Sequence, residues 1–292
     1  LSAKRISKEK TKMKNPEKIQ RVAFQGEPGA YSEEAVQAHF TNRETITAPC
    51  VSFEAVFNTV EDGSSDLGFV PIENSLAGSI HQNYDLLLKN SLWVIGEHQL
   101  RIQHCLIAEP GVQIDEIKRI ISHPQALAQC DGYLHQMPDV LVEPSYDTAG
   151  SVKLIHEKSD RNSAAIASRR AAEIYQMNIL AENIEDNPQN FTRFLILSKH
   201  PVIAAHKAKT SIVFSLINKP GSLFKAMSVF ALRDIDLAKI ESRPLIGTPW
   251  DYLFYIDFYG STQDQSVVRA LNHLQEYATM MRVLGSYPFH AL

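Results

Sequence analysis

Between residues 21 and 198 the chain alternates short apolar runs with stretches of helical period, and this alternation is what most restricts its fold. Apolar runs at 22–24, 67–72, 93–95, 100–107, 119–121, 140–142, 164–167 and 191–197 predict strands. Helices are predicted at 31–40, from Phe53 onward, and at 80–88, 125–135, 149–156 and 169–175. The second of these carries Phe53, Val56, Phe57 and Val60 at the 0, +3, +4, +7 spacing of one helical face. Strands and helices in turn predict an α/β architecture with a largely parallel sheet. In such folds ligands bind where strands end and helices begin.

A different order follows. Residues 199–208 have neither period and are expected to be a linker. Beyond them come a strand at 212–216, the turn Asn218-Lys219-Pro220-Gly221, and a helix with Leu223, Met227, Phe230 and Ala231 on one face. Strands at 237–241 and 252–258 are next, then a helix marked by Val267, Leu271, Leu274 and Ala278, and a last strand at 281–284. In the 252–258 strand, Leu253, Tyr255 and Asp257 should face one side, and Tyr252, Phe254, Ile256 and Phe258 the other. The order β-α-β-β-α-β is the ferredoxin-like plan. Its helices cover one sheet face only, and self-association through the other face or an edge is one way to cover the rest.

Charge narrows the function classes. Residues 1–21 hold eight Lys or Arg and two Glu, a net of +6, which leaves −10 for the remainder of a chain whose total is −4. A body of that sign is a poor nucleic-acid binder. Residues 1–20 are expected to be a disordered basic tail. They lack the apolar core of a secretory signal, and the remnant of an organellar leader is the alternative. No apolar stretch approaches the roughly 18 residues of a membrane helix. Cys50, Cys105 and Cys130 are far apart, without a Cys-x-x-Cys pair, which fits a reducing compartment better than a disulfide or zinc framework.

Four polar segments stand at predicted strand ends. Glu73-Asn74-Ser75 follows a buried strand. Ser122-His123-Pro124-Gln125 and Asp147-Thr148-Ala149-Gly150-Ser151 each open a helix, where free N–H groups favour carboxylates. Asn190-Phe191-Thr192-Arg193-Phe194 leads into the last strand, and its amide, hydroxyl and cation against aromatic walls suit a small carboxylate substrate. Taken singly, each segment is also an ordinary turn, cap or strand end. Alternation along a strand puts Asn190, Thr192 and Phe194 on one side and Arg193 on the other. Arg193 then reaches the same cleft only through a bend or bulge; otherwise it braces the two halves of the domain.

Together the four segments resemble the prephenate dehydratase family, which includes the arogenate dehydratases. Glu-Asn-Ser, Ser-His-Pro-Gln-Ala-Leu, Asp-Thr-Ala-Gly and Thr-Arg-Phe stand here in family order. The C-terminal part resembles the family's regulatory ACT domain, with the turn 218–223 and the strand end Glu241-Ser242-Arg243-Pro244. The resemblance implies a catalytic domain over 21–198, folded as two lobes like a periplasmic binding protein, and an ACT domain over 209–288. It implies a cofactor-free, metal-free lyase that dehydrates and decarboxylates prephenate to phenylpyruvate, or arogenate to L-phenylalanine, with L-phenylalanine as feedback inhibitor. A cytoplasmic homodimer or homotetramer joined through ACT domains is expected, with a plastid as the other location. Thr192 is then the catalytic hydroxyl. Glu73, Asn74, Ser75, Ser122, His123, Gln125, Thr148, Ala149, Asn190, Arg193 and Phe194 are expected around the substrate, with Glu73 as proton source if burial raises its pKa. Asn218, Pro220, Gly221, Ser222, Leu223, Glu241, Ser242, Arg243 and Pro244 are expected around the effector. The reading from a different class is a sensor that binds an amino acid without turnover.

Overall fold

In a computed structural model the described residues are 19–289, apart from 42, 203, 205, 206, 246 and 249. The basic tail over 1–18 lies outside them. The first lobe contains β1 (Gln20–Gln25), α1 (Tyr31–His39), β2 (Thr45–Cys50), α2 (Phe53–Asp62), β3 (Leu67–Asn74), the short β4 (Gly78–Ser79), α3 (His81–Lys89) and β5 (Trp93–Arg101). The second contains β6 (Cys105–Ala108), β7 (Arg119–Ser122), α4 (Pro124–Ala128), α5 (Asp131–Leu134), β8 (Leu141–Pro144), α6 (Thr148–Lys158), β9 (Ser163–Ala167), α7 (Arg169–Tyr175) and β10 (Asn178–Glu182). The chain then returns to the first lobe as β11 (Phe191–Ser198). A C-terminal domain follows with β12 (Ala208–Leu216), α8 (Ser222–Ala231), β13 (Leu237–Pro244), β14 (Tyr252–Tyr259), α9 (Gln265–Tyr277) and β15 (Ala278–Pro288).

The sheets are mixed rather than largely parallel. In the first, of order β2-β1-β3-β11-β5, β1 runs parallel to β2 and β3, while β11 is antiparallel to both β3 and β5. The second, β10-β6-β9-β7-β8, is likewise half parallel and half antiparallel. The reason is the lobe exchange. A strand that arrives from the other lobe needs no crossover helix in its own sheet, so nothing forces it to be parallel. The same exchange splits the apolar run at 100–107, which was expected to be one strand. It ends as β5 at Arg101 and resumes as β6 at Cys105, and residues 102–104 carry the chain between lobes. The predicted helix at 125–135 is also two, α4 and α5. β2 and β10 had no strong pattern in sequence because both are edge strands with partly exposed residues.

The two crossings between lobes lie side by side. Ile102 N–H donates to Asn190 C=O at 2.8 Å, and Ile184 N–H to His104 C=O at 3.1 Å.

The C-terminal sheet, β13-β14-β12-β15, packs α8 and α9 on one face through Ile212, Phe214, Ile256, Phe258, Val229 and Leu274. The face of α8 differs from expectation. Ala226, Val229 and Phe230 are buried, while Leu223 and Ala231 are exposed. The sheet's other face is covered within the same chain: Val213, Leu253, Tyr255, Leu284 and Tyr287 join Val70, Ile72, Leu87, Leu195 and Leu197 in one apolar cluster. Self-association is thus not needed to bury it.

Candidate active site

The cleft lies at the carboxyl ends of β3 and β7, between the lobes, and has a volume of about 500 Å³. Five helices begin on its wall: α1 at Ala30 and Tyr31, α2 at Ser52 and Phe53, α3 at Ile80, α4 at His123 and α6 at Asp147 and Thr148. α1 and α3 have no capping side chain; Glu33 and Asn83 N–H turn back to Ala30 and Ile80 C=O, and the N–H groups before them are left to a ligand. Among the described residues no Lys or Arg lines the cleft. Anion attraction therefore comes from helix termini, each worth about 0.3–1 kcal/mol and more when partly buried.

Thr192 and Phe194 of β11 line this cleft, together with Asn74 of β3. How Asn74 comes to face it depends on a bulge. The pairing of β11 with β3 shifts between Arg193↔Glu73 and Phe194↔Pro71, leaving Ile72 as the extra residue. Pro71 lines the cleft and Ile72 joins the apolar cluster behind the sheet. The bulge then resets the alternation, so Glu73 also faces back and Asn74 faces the cleft.

The polarity of the hydrogen bonds around Thr192 follows from the backbone. Asn74 Oδ1 accepts the N–H groups of Leu76 and Ala77 at 3.0 and 2.9 Å. Its amide nitrogen must therefore be the end that meets Asn190 Oδ1 at 2.8 Å and Thr192 Oγ1 at 3.0 Å. Thr192 accepts from Asn74, which leaves its own hydrogen for the cleft. The chain continues outward: Asn190 Nδ2 donates to Gln129 Oε1 at 2.9 Å, His104 Nε2 stands 2.9 Å from the same oxygen, and His104 Nδ1 is 2.7 Å from the Tyr31 hydroxyl. Burial lowers the pKa of His104, so its ring is neutral near pH 7. Burial pushes the Tyr31 phenol well above its usual range.

Several expected residues meet on the cleft wall and others do not. His123, Gln125 and Thr148 line it beside Asn74, Thr192 and Phe194. Asn190 is fully buried just behind, bracing Asn74. Ala149 is buried in the core of α6. Ser122 is also buried and donates to the Ile166 carbonyl at 2.5 Å, which ties β7 to β9 rather than facing ligand. Ser75 binds the 189–191 loop, donating to Gln189 C=O and accepting from Phe191 N–H.

Glu73 and Arg193 require correction, since neither reaches the cleft. Turned back by the bulge, Glu73 pairs with Lys239 of β13 at 2.9 Å. Arg193 pairs with Glu97 and Asp257, each at 2.7 Å, and donates to the Tyr287 hydroxyl at 3.3 Å. It braces the catalytic sheet against the C-terminal domain rather than one lobe against the other. Burial alone would lower its pKa, but Asp257, Tyr287 and Glu97 outweigh that and raise it.

Sequence reasoning missed Tyr31, His104 and Gln129 as cleft residues; Asp147, which opened the third polar segment, lines the cleft as the cap of α6. Gln129 follows the Ser-His-Pro-Gln segment by one helical turn, and that spacing was the available signal. Tyr31 and His104 meet only through the lobe crossing, which no local pattern reveals.

On the C-terminal domain, Asn218, Gly221, Ser222 and Leu223 line a second cavity of about 350 Å³ with Phe224, Tyr252 and Phe254. Gly221 has φ +80 at the start of α8, a conformation that favours glycine. The other expected effector residues divide. Ser242 and Pro244 stand exposed opposite Phe254 and Tyr252 in register, while Pro220 does not line the cavity. Glu241 and Arg243 face the first lobe instead. Glu241 accepts from Ser79 at 2.5 Å and lies 3.4 Å from His81; Arg243 pairs with Asp85 at 2.9 Å.

The profile of the prephenate dehydratase family matches residues 22–202, and the chain belongs to that family. It is similar to arogenate dehydratase/prephenate dehydratase 2, chloroplastic, of Arabidopsis thaliana: 50% identity over 279 residues, 92% of this chain and 72% of the relative. Among solved structures it resembles prephenate dehydratase from Arthrobacter aurescens in complex with L-Phe (TM-score 0.85, 33% identity, 92% of this chain and 90% of that one). It also resembles GqqA, described as a novel type of quorum-quenching acylase (TM-score 0.86, 33% identity, 93% and 98% covered).

Proposed function

We propose that this chain is a lyase of L-phenylalanine biosynthesis that converts prephenate to phenylpyruvate with loss of water and carbon dioxide. The observation that carries the reading is the Thr192 hydroxyl. It accepts from Asn74 and has its hydrogen free toward the cleft. In the reaction the ring carboxylate leaves as carbon dioxide and its electron pair enters the ring. The bond from ring carbon to hydroxyl oxygen breaks, and the ring becomes aromatic. The barrier is the poor leaving group. A positioned donor at Thr192 stabilises the departing oxygen as charge develops on it, and the oxygen leaves as hydroxide that takes one proton from solvent to become water. The helix termini hold the carboxylates without a lysine or arginine, which limits over-stabilisation of the one that must leave. Pro71, Ile80, Ile102 and Phe194 supply apolar wall, and lobe closure over them excludes water.

Arogenate, giving L-phenylalanine directly, is the second reading. Asp147 favours it. Among the described residues it is the one carboxylate on the cleft wall, and arogenate carries an ammonium where prephenate has a keto group. The Arabidopsis relative's name covers both activities. Acyl transfer, suggested by the acylase neighbour, would need a base at Thr192. The partner there is an amide that donates.

The C-terminal domain is read as an ACT domain whose cavity takes L-phenylalanine, since the glycine-led start of α8 stands there beside aromatic wall from Phe224, Tyr252 and Phe254; the Arthrobacter relative is described in complex with L-Phe. Exposed Phe224, Leu232 and Trp250 suit contact with a second copy, as dimer or tetramer. Among the described residues no helix is long and apolar enough to cross a membrane. A plastid location rests on the relatives named chloroplastic. The test is kcat/KM for prephenate and arogenate on the same preparation. Turnover of either, inhibited by L-phenylalanine, supports the reading; binding of L-phenylalanine without turnover of either substrate supports a sensor instead.

A further inference from the structure

His104 is not among the motif residues, yet it sits where both lobes and both crossings meet. Its backbone N–H donates to Glu185 Oε2 at 2.9 Å, and its carbonyl accepts from Ile184, both on the returning crossing. Its side chain touches Tyr31 at the start of α1 in the first lobe and Gln129 at the end of α4 in the second. Only 2% of the residue is exposed, and that part is on the cleft wall.

From Asn74 to Gln129 the direction of each hydrogen bond in this chain is determined. Backbone N–H groups fix Asn74, Asn74 fixes Asn190, and Asn190 Nδ2 turns Gln129 Oε1 inward. An oxygen faces His104 Nε2, so that nitrogen must carry a hydrogen, and in the neutral ring Nδ1 can only accept; the Tyr31 hydroxyl, which also stands 3.0 Å from Gln103 C=O, then turns its one hydrogen to the ring at 2.7 Å. Read in reverse, the Nε2–H is what holds the Gln129 carboxamide in the orientation that Asn190 and Asn74 require. Were that carboxamide to flip, its NH2 would oppose the NH2 of Asn190. Asn190 would then flip or withdraw, and the Asn74 amide that donates to Thr192, still oriented by the Leu76 and Ala77 N–H groups, would lose the acceptor that holds it from the side. Amide side chains do not carry protons, so this is an orienting chain and not a proton wire.

We infer that His104, as its neutral Nε2–H tautomer held by Tyr31, is a positioning residue that aims the Thr192 hydroxyl through Gln129, Asn190 and Asn74. The inference rests on the role of Thr192 proposed above. The first test does not depend on turnover. In protein labelled with 15N at histidine, His104 should show a protonated Nε2 and a bare Nδ1 from pH 6.5 to 8; an Nδ1–H tautomer overturns the inference. The second test is kinetic. His104→Leu should lower kcat on the order of tenfold with KM within about twofold, and His104→Gln, which keeps a donor near the Nε2 position, should recover most of the loss. In a cycle with Gln129→Ala, the double variant should be no worse than Gln129→Ala alone. Near-normal kcat in His104→Leu, no recovery in His104→Gln, or losses that multiply in the double variant would overturn it. If His104→Leu does not fold, the tautomer and the His104→Gln/Gln129→Ala double variant decide: a loss beyond that of Gln129→Ala alone contradicts the inference. Absence of turnover in the unaltered enzyme would instead count against the proposed reaction.

Discussion

The two faces of β11 are built from neighbouring residues and do opposite things. On the front, Thr192 and Phe194 meet the cleft through uncharged hydrogen bonds and aromatic surface. On the back, Arg193 enters a buried cluster with Glu97, Asp257, Lys209 and Tyr287. Two cations there face two carboxylates, so charge is balanced. The front lies on the cleft between the lobes, and one contact between them is electrostatically tense. Burial and the nearby Glu173 push Glu34 of α1 up to about 7. The difference shows how one motif serves two tasks: alternation gives every second residue to chemistry and the next to anchorage.

The largest effect expected on this contrast comes from the back. Arg193→Met leaves Asp257 without its cation, and breaking a buried pair costs roughly 3–5 kcal/mol. The melting temperature should fall clearly, while turnover by the folded fraction stays within about fivefold. Thr192→Val keeps the branched shape and removes the hydroxyl. It should lower kcat at least ~100-fold and barely move the melting temperature. Gly221→Val puts a branched side chain where φ is +80, and inhibition curves should shift to at least ~10-fold more L-phenylalanine.

The smallest effect concerns Glu34. Its folded-state pKa lies above the ordinary 4.5, so between about 4.5 and 7 the folded protein binds more protons than the unfolded. Its contribution to stability therefore falls as pH rises through that window. Glu34→Gln should leave the melting temperature nearly unchanged near pH 4.5 and raise it above pH 7. Equal shifts at both pH values would remove the tension assigned to the lobe contact.

Much of this contrast was legible in the sequence. Alternation separated Thr192 from Arg193, and it assigned Leu253, Tyr255 and Asp257 to a shared face, which is the one that meets the first lobe. The motifs supplied His123, Gln125 and Thr148. What escaped was non-local. Ile72 gives no sign that it is a bulge, yet that bulge sends Glu73 backward and Asn74 forward. Nor does anything near Arg193 indicate that its partner Asp257 lies 64 residues on. Tyr31 and His104 join only once the chain has crossed between lobes. Hydrogen bonds of this kind depend on where strands exchange, and apolar periodicity does not record that.

The central claim is that catalysis belongs to the front of β11 and anchorage to the back. It is tested most directly by measuring kcat with prephenate and arogenate, and melting temperature, on the same preparations of Thr192→Val and Arg193→Met. The account predicts that Thr192→Val melts like the unaltered protein and has lost its turnover, while Arg193→Met melts early and turns over when folded. A Thr192→Val enzyme with near-normal kcat, or an Arg193→Met enzyme inactive at unchanged melting temperature, would contradict it.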